Sequence, residues 1–197
     1  MNVLELFSGG GSIGKVCDKL GWNSISVDID NKFNPTHNCD IMDFDYKQYP
    51  KDYFAIVWGS PDCTQYSKAK SRGVRDIEGA NKLVLKTIEI INYFNCHYWF
   101  IENPQTGLLK HQDFMKKFNY FDADYCMYGF PYRKRTRFWT NKKNCNTLLC
   151  NKNCGSFIHG KHIGSAGNGT KKYTDKYNSL LEKYSIPEDL IFSLFLY

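Results

Sequence analysis

The sequence predicts an α/β fold built on a mostly parallel, doubly wound sheet, and three observations predict it. Short apolar runs typical of buried strands alternate along the chain with segments of helical spacing. Several of these runs end in acidic or small polar residues, at the strand ends where open α/β sheets place ligands. A glycine-rich turn joins the first predicted strand to the first predicted helix. Such alternation is typical of parallel strands connected by right-handed crossovers.

The predicted elements follow one another in that alternating order. Strands are predicted at residues 3–7, 24–28, 54–58, 98–101, 120–128 and 136–140, with a short third element ending at residue 41. Helices are predicted at residues 12–20, 80–94, 173–184 and 187–196, with a helical patch near 113–118. Ser12 is expected to cap the first helix and Gly21 to end it. Residues 141–170 show no periodicity and predict a small irregular appendage.

Size and composition describe one globular domain with that appendage. Of the 197 residues, 42% are hydrophobic and 23% are charged, and no segment is apolar for the length of a membrane span. The first residues have the pattern of a strand, without the features of a signal peptide. We therefore expect an intracellular protein whose eight cysteines are reduced. A net charge of +6 favours a polyanionic partner only slightly.

A thiol follows the predicted strand at residues 54–58. Cys63 ends the stretch Ser60-Pro61-Asp62-Cys63, just beyond the carboxyl end of that strand, where a nucleophile is useful. The residues from Ser67 to Gly79 are mostly polar and basic, which is typical of a mobile loop. These features predict a thiol nucleophile on a loop that closes over its substrate.

The glycine turn matches a nucleotide-binding fingerprint. Gly9, Gly11 and Gly14 have its spacing, and Asp28 follows Gly9 by about twenty residues at the end of the next strand. Turns of this kind bind both NAD and S-adenosylmethionine. The acids Asp28 and Asp40 suit a ribose hydroxyl and an adenine amino group, and the helix N-terminus suits a carboxylate. In the alternative interpretation, Asp40 only caps a turn.

Several short motifs occur in a fixed order along about residues 3 to 140. They are Phe7-Ser8-Gly9-Gly10-Gly11, Asp28-Ile29-Asp30, Asp40-Ile41, Ser60-Pro61-Asp62-Cys63, Glu102-Asn103 and Gly129-Phe130-Pro131 with its arginines. In this order, at these strand ends, the chain resembles the DNA cytosine-5 methyltransferases. Its small size and its Asn- and Lys-rich composition are similar to compact enzymes of that family encoded by large DNA viruses and phages. The resemblance implies a Rossmann-like, S-adenosylmethionine-dependent methyltransferase fold with a very small recognition segment.

The resemblance also implies base flipping and a covalent intermediate. Cys63 would attack C6 of an extruded cytosine, and Glu102 would hydrogen-bond its N3 and exocyclic amine. Arg135 and Arg137 would steady the base and the adjoining phosphate. S-adenosylmethionine is the implied methyl donor, and S-adenosylhomocysteine is its product. The implied cofactor-binding residues are Phe7, Ser8, Gly9, Gly11, Asp28, Ile29, Asp40, Ile41, Ser60 and Pro61.

Double-stranded DNA is the implied partner, RNA is left open, and no membrane association is expected. The expected nucleic-acid contacts are Lys68, Arg72, Arg75, Lys142 and Lys143. The chain then divides into a catalytic and cofactor-binding domain at 1–140, a small basic target-recognition segment at 141–170, and C-terminal helices at 171–197 that return to the catalytic domain. A segment of about thirty residues contacts roughly two or three base pairs, so we expect a very short target sequence. A viral enzyme would act in the host cytoplasm or nucleus.

Among the departures from the family pattern, two affect the predicted chemistry. Asp62 stands where the family has a second proline, and its charge is expected to raise the pKa of the neighbouring Cys63 thiol. At the family's Gln-x-Arg-x-Arg positions, a gapless reading places Tyr132, Lys134 and Thr136. A solvated basic strand is the alternative interpretation of that stretch.

No metal is expected. Zinc ligands are the alternative interpretation of a group of residues in the appendage, Cys145, Cys150, Cys154, His159 and His162. Their spacing is irregular, so the sequence favours reduced thiols on a loop.

The sequence leaves three other functions open. A transfer-RNA cytosine-5 methyltransferase would use the same Cys63 and Glu102. A relative silenced by Asp62 would bind nucleic acid without catalysis. A nicotinamide-dependent oxidoreductase would explain the glycine turn, but it would leave Cys63 and Glu102 without a role.

Overall fold

The computed structural model of the chain describes residues 1–68, 70, 72–164 and 184–197. Seven strands form its main sheet: β1 (Asn2–Leu6), β2 (Asn23–Asp28), β3 (His37–Asn38), β4 (Ile56–Gly59), β5 (Tyr98–Pro104), β6 (Tyr120–Asp124) and β7 (Arg135–Thr140). Their order in space is β3-β2-β1-β4-β5-β7-β6. The first five strands are parallel, and β7 runs antiparallel to both of its neighbours. The predicted mostly parallel α/β sheet is confirmed.

The described residues also form three α-helices: α1 (Ser12–Leu20), α2 (Ile77–Tyr93) and α3 (Glu188–Leu196). Single 3₁₀ turns occur at Asn31–Phe33, Tyr46–Gln48, Leu109–His111, Asp113–Met115 and Tyr125–Tyr128. Apart from Tyr184, the helix predicted at 173–184 lies outside the described residues, as does the end of the segment predicted at 141–170. In the described ranges, every helix falls short of the length and apolarity that a membrane crossing requires.

The start of α1 differs from the prediction. Ser12 is the first helical residue, and the N-cap is Gly11, whose φ is 68° and which offers no capping side chain. The backbone N–H groups of Ile13 and Gly14 donate instead to the buried carboxylate of Glu5, at 3.1 and 3.0 Å. A carboxylate at this position also suits the positive end of the helix dipole. Glu5 of β1 therefore caps the helix, and the predicted Ser12 cap is wrong.

Two hydrophobic layers cover the faces of the sheet. On one face, α2 packs on Leu4, Val57 and Ile101. On the other face, α1 and α3 pack on residues of the same strands that point the opposite way, among them Trp58 and Phe100. Both faces of the central strands are therefore buried, as expected for a parallel sheet.

Two tight contacts fix the helices on these layers. A Cβ added to Gly59, at the end of β4, would lie 2.6 Å from Thr87 Cγ2 on α2, so the close approach of this helix requires glycine. On the opposite face, Phe195 of α3 stacks on Trp22, with ring centroids 5.9 Å apart. The C-terminal helix is thereby part of the same core as β1, α1 and β4.

The second half of the chain is more irregular than predicted. The strand predicted at 120–128 ends at Asp124, and the helical patch near 113–118 is a single 3₁₀ turn. The predicted irregular segment contains a small antiparallel hairpin, β8 (Phe157–Ile158) and β9 (Lys161–His162). Its turn residues, His159 and Gly160, both have positive φ, 51° and 81°, as two-residue hairpin turns require. Strands of two residues are too short to show a periodicity in sequence.

Candidate active site

The turn after β1 has an unusual backbone that β2 holds in place. Phe7 has a φ of 58°, a left-handed value that is uncommon for a bulky residue, and Gly9 has a φ of 46°. The N–H of Gly9 donates to Asp28 Oδ2 at 2.7 Å, which ties the turn to the end of β2. Backbone conformations of this kind are concentrated at ligand-binding sites. The turn is therefore a candidate binding element.

A cavity opens beside this turn, at the carboxyl ends of β1 and β2. It is lined by Phe7, Val27, Asp28, Ile29, Cys39, Asp40, Ile41, Asp62 and Leu83. The structure thus brings together five of the predicted cofactor-binding residues, which are Phe7, Asp28, Ile29, Asp40 and Ile41. Three others, Ser8, Gly9 and Gly11, line a neighbouring cavity beside α1 and β2. Among the described residues, Asp62 faces the first cavity in place of the predicted Ser60 and Pro61.

The first cavity has walls that fit an adenosyl group. Phe7, Ile41 and Leu83 give it apolar surfaces, and the carboxylates of Asp28 and Asp40 lie at the strand ends on its border. Small-molecule sites commonly combine apolar walls with a few placed polar groups. An adenosyl group requires both features: carboxylates that accept hydrogen bonds from its hydroxyl and amino groups, and apolar side chains that pack on its ring.

Both carboxylates also make local hydrogen bonds. Asp40 Oδ1 accepts from the N–H of Met42 at 2.9 Å, so Asp40 caps a turn and lines the cavity as well. Asp28 accepts from Gly9 through one oxygen and from the N–H of Asp30, at 2.8 Å, through the other. Because each carboxylate oxygen has two lone pairs, both side chains retain acceptor capacity for a ligand.

Cys63 lies beyond the end of β4 and is half-buried. Burial raises the pKa of its thiol to about 11, the carboxylate of Glu102 adds to the rise, and Lys134 opposes it. Asp62 also raises this pKa, as its charge predicts, but it contributes less than burial and Glu102. The free thiol is therefore protonated at neutral pH.

Asp62 is exposed and turns towards Thr64. Its Oδ1 accepts from the N–H of Thr64 at 3.1 Å and from the Thr64 hydroxyl at 2.7 Å. These bonds form a local turn of the kind that Asp side chains favour. The carboxylate thus has partners and solvent of its own, which explains its limited effect on the neighbouring thiol.

Glu102 is buried near the carboxyl end of β5, with 7% of its surface exposed. The hydroxyl of Tyr125 donates to Glu102 Oε1 at 3.1 Å, and Lys134 Nζ lies 3.9 Å from the same oxygen. Both groups come from the chain between β6 and β7. The sequence did not predict Tyr125 here, but the gapless reading of the arginine motif had placed Lys134 at a cationic position.

Asn103 connects the two strand ends that carry Cys63 and Glu102. Its Nδ2 donates to the carbonyl oxygen of Pro61 at 2.9 Å, and its side chain is fully buried. Strands β4 and β5 are adjacent and parallel, with Gly59 paired to Ile101. The structure therefore brings Cys63 and Glu102 to neighbouring strand ends at one edge of the sheet, next to the first cavity, which Asp62 lines.

The register of β7 directs Arg135 and Arg137 away from Glu102. Phe138 lies opposite Glu102, and Arg137 lies opposite Asn103, so Arg137 and Glu102 extend from opposite faces of the sheet. Two nitrogens of Arg137 donate to Asp122, at 2.7 and 2.9 Å, in a bidentate pair. Arg135 forms the same kind of pair with an acid of β6, Asp124, at 3.0 and 2.7 Å. This placement does not support the predicted contact of either arginine with the flipped base.

The predicted nucleic-acid contacts have different environments. Lys68, Arg72 and Lys143 are exposed. Arg75 donates to the carbonyl oxygens of three residues of its own loop, Gln65, Ser67 and Lys70, at 3.0, 2.6 and 2.9 Å. It therefore organises the predicted closing loop, of which residues 69 and 71 lie outside the described part of the chain.

Lys142 requires a correction. Its side chain is 7% exposed, and Nζ donates to the carbonyl oxygen of Leu194 at 2.8 Å, near the C-terminus of α3. The same ammonium lies 5.0 Å from the centre of the Tyr98 ring. A cation in this position stabilises the end of a helix. Since it is enclosed, Lys142 does not reach a phosphate, and its predicted role in nucleic-acid binding is wrong.

Comparison with known proteins identifies the family of this chain. A sequence model of the family described as C-5 cytosine-specific DNA methylase matches residues 1–128. The chain belongs to this family. A protein of Frog virus 3 (isolate Goorha) named "Probable DNA (cytosine-5)-methyltransferase" is 29% identical over 220 residues, which cover 98% of this chain and 98% of that protein.

The fold of this chain is similar to that of solved methyltransferase structures. Entamoeba histolytica methyltransferase EhMeth has a TM-score of 0.55 at 20% identity, covering 76% of this chain and 55% of that one. S. pombe Dnmt2 methyltransferase has a TM-score of 0.50 at 18% identity, covering 75% of this chain and 51% of that one. The chain thus spans about half the length of these two structures. The predicted Rossmann-like methyltransferase fold is confirmed.

Membership of the C-5 cytosine-specific DNA methylases confirms the predicted function. The chain is a DNA cytosine-5 methyltransferase, an enzyme that takes a methyl group from a donor and uses DNA as its substrate. The transfer-RNA methyltransferase and the nicotinamide-dependent oxidoreductase are not favoured.

Proposed function

We propose that this methyltransferase acts on double-stranded DNA through a covalent adduct between Cys63 and C6 of a flipped-out cytosine, with S-adenosylmethionine as donor. The observation that supports it most directly is the meeting of a thiol and a buried carboxylate at neighbouring strand ends. Glu102 is close enough to Cys63 to raise the pKa of its thiol, and Asn103 holds the two strand ends together. A thiol nucleophile and a carboxylate that binds the ring are the two groups this chemistry requires.

The residues beside the glycine turn fit S-adenosylmethionine. The carboxylates of Asp28 and Asp40 would hold its ribose and its adenine amine, and Phe7, Ile29 and Ile41 would enclose the ring. When bound, the cofactor supplies the methyl group and leaves as S-adenosylhomocysteine. Asp62 lines the same cavity and directly precedes Cys63 in the sequence, so the cofactor site and the proposed nucleophile are adjacent.

Cys63 must lose its proton before it attacks. The thiolate sulfur would form a bond to C6, and the electrons of the C5–C6 double bond would move towards C5, the atom that is methylated. The electron pair at C5 would form the bond to the methyl group that the donor supplies. A base would then remove the C5 proton, the C–H electrons would re-form the C5–C6 double bond, and the S–C6 electrons would return to sulfur as the thiolate leaves. The pKa of the free thiol is about 11. The bound cytosine and the cation of Lys134 must therefore favour the thiolate at neutral pH.

Glu102 would bind the edge of the cytosine ring. Its buried carboxylate can accept from the exocyclic amine and can hold a proton that N3 shares as charge develops on the ring. Tyr125 donates to Glu102 and fixes its orientation. Lys134 provides a cation at the carboxylate and opposes the rise in the pKa of Cys63, so it takes the role that the resemblance implied for Arg135 or Arg137.

Recognition of DNA would depend on few groups. We propose that Lys68 and Arg72, on the loop after the nucleophile, and Lys143, after β7, contact phosphates. Residues 141–164, the described part of the predicted recognition segment, would read the target sequence. A segment of this size contacts roughly two or three base pairs, so the target is short.

Trapping on DNA tests this proposal. In a duplex containing 5-fluorocytosine, C5 carries fluorine and has no proton to lose after methylation, so the thiolate cannot be eliminated. Such a duplex should accumulate a covalent complex that survives denaturation when S-adenosylmethionine is present. Cys63→Ser should give none, and Cys96→Ser, a control on the connection before β5, should trap normally. Absence of a complex with active enzyme, or a complex with Cys63→Ser, would contradict the proposal.

A further inference from the structure

The structure brings four metal-ligating side chains together in a group that does not include Cys63. Cys126, Cys150, Cys154 and His162 place their sulfur and ring nitrogen atoms within 4.8 Å of one another. Three of the four, the cysteines, are buried. This group is named the cysteine–histidine cluster below. From it we propose that the protein binds one structural zinc ion.

The dimensions of the cluster suit tetrahedral zinc. With Zn–S bonds of about 2.3 Å and Zn–N bonds of about 2.0–2.1 Å, a tetrahedral site separates sulfur from nitrogen by about 3.5–3.6 Å. Cys150 Sγ lies 3.5 Å from His162 Nε2. The remaining separations, all within 4.8 Å, need only small side-chain adjustments to meet at one ion. Three cysteines and one histidine are an established zinc ligand set.

The backbone around the cluster is arranged to carry these ligands. Lys152, at a positive φ of 68°, turns its N–H onto Cys150 Sγ at 3.3 Å. The type of hairpin that β8 and β9 form places His162 opposite Phe157, whose ring meets the imidazole edge-on with centroids 5.2 Å apart. Cys126 comes from the 3₁₀ turn after β6. Ligands from three separate stretches of chain therefore converge on one point.

The described part of the appendage packs around a small core of its own at this cluster. Among the described residues, the third hydrophobic cluster consists of Cys126, Cys150 and Cys154, with Met127 and Phe157 packed against it. Three thiols bury little apolar area compared with aliphatic side chains of a normal core. Small units that cannot build a sufficient hydrophobic core are commonly held together by a metal or by disulfides.

The cluster also joins the appendage to the sheet. Asp124, fully buried at the end of β6, accepts from the N–H of Cys150 at 2.8 Å, and its own N–H donates to the carbonyl of Leu148 at 3.0 Å. Ser156 Oγ donates to the carbonyl of Phe130 at 2.8 Å. A zinc ion bound by Cys126, next to β6, and by ligands within residues 150–162 would hold the appendage against the sheet.

The balance of the binding reaction is simple. Each of the three thiols loses its proton to solvent, three S–Zn bonds and one N–Zn bond form, and no oxidant or reductant is needed. Four protein ligands leave no open position on the metal, so the ion would be structural and would take no part in catalysis. The prediction that no metal is bound is replaced by this proposal, with Cys126 in the place of Cys145 and with His159 left out.

Metal analysis of the intact chain tests the proposal. Protein expressed with zinc, freed of any metal-binding tag and purified without chelators should contain roughly one zinc per chain. Cys150→Ser and Cys154→Ser should each lose most of it. Cys145→Ser and His159→Gln are matched controls from the same segment: Cys145 packs with the core beside α1 and α3, and His159 is exposed at the hairpin turn. Both controls should keep the zinc.

Two further measurements address variants that fail to fold. His162→Cys should retain zinc, because four cysteines are also a closed zinc set. Wild-type protein stripped by a chelator and reloaded with Co²⁺ should show sulfur-to-cobalt charge-transfer absorption. A zinc content below about a tenth of an ion per chain in the wild type, a disulfide within the cluster after reducing purification, or equal loss of zinc in the Cys145→Ser control would each overturn the proposal.

Discussion

Cys63 and the cysteine–histidine cluster place the same functional group in opposite surroundings. Cys63 is a single thiol whose charged neighbours include the carboxylates of Glu102 and Asp62, and both raise its pKa. The cluster gathers three thiols around an imidazole, with no carboxylate among its four ligating groups. The first arrangement keeps the thiol of the proposed nucleophile protonated in the free protein, and the second suits a permanent cation. The difference shows that the groups around a thiol, together with its burial, decide its chemistry.

The largest expected effect is that of pH on alkylation. Because the raised pKa of Cys63, about 11, keeps its thiol protonated below that pH, its reaction with iodoacetamide should accelerate about tenfold per pH unit, or roughly 10³-fold from pH 7 to pH 10. Cysteines bound to zinc should change little over the same range. Peptide mass spectrometry measures both sets in one sample. A plateau for Cys63 below pH 9 would show that its neighbours do not act as described.

Replacing Glu102 should separate the two effects of its carboxylate. Glu102→Gln should lower methyl transfer by about 10²- to 10³-fold, since the ring loses its charged partner. The same change should lower the pKa of Cys63, because a negative neighbour is removed, and speed its alkylation at fixed pH.

Cys96 serves as an internal control for the Glu102→Gln measurement. Burial raises its pKa to about 11, as for Cys63, but no carboxylate contributes. Its alkylation should not change. Equal acceleration of Cys63 and Cys96 would indicate a general loosening of the structure instead.

Lys134 should have a smaller effect of the opposite sign on the thiol. Lys134→Met removes the cation 3.9 Å from Glu102, so methyl transfer should fall about tenfold and the pKa of Cys63 should rise. Arg133→Met, at an exposed cation that pairs with Asp124 at 3.1 Å, is the matched control and should leave both unchanged. If the control lost activity as strongly, general electrostatic attraction of DNA would be the better explanation.

Asp62 should have the smallest effect. Asp62→Asn keeps an oxygen for the hydrogen bonds from Thr64 and removes the charge, and exposed charges are weakly coupled to their neighbours. Methyl transfer should change less than about threefold, in the direction of a faster enzyme. A gain of tenfold or more in single-turnover methylation would mean that Asp62 silences Cys63 far more than its exposed position allows.

Much of the catalytic half followed from sequence because its information is local. Cys63 and Glu102 each lie at the end of an apolar run, and parallel strands deliver their carboxyl ends to one edge of a sheet. The glycine turn and Asp28 were identified for the same reason. The alternation of strands and helices predicted a mostly parallel sheet, whereas the order of the strands came from the structure.

Other placements depended on partners distant in sequence. Whether Arg137 lies beside Glu102 or on the other face is decided by a single step in the register of β7, which sequence does not reveal. Lys142 is basic and next to an irregular segment, but α3 covers it.

The amino-acid sequence by itself determined the fold class, the motif order and the position of the proposed nucleophile, since short apolar runs and turn residues carry that information wherever the rest of the chain goes. Only the tertiary structure decided which cation faces Glu102 and which cysteines meet. Cys126 joins Cys150 and Cys154 because the end of β6 and the appendage share Asp124 as a hydrogen-bonding partner. Such meetings arise from side-chain packing between segments, and spacing along the chain does not encode them.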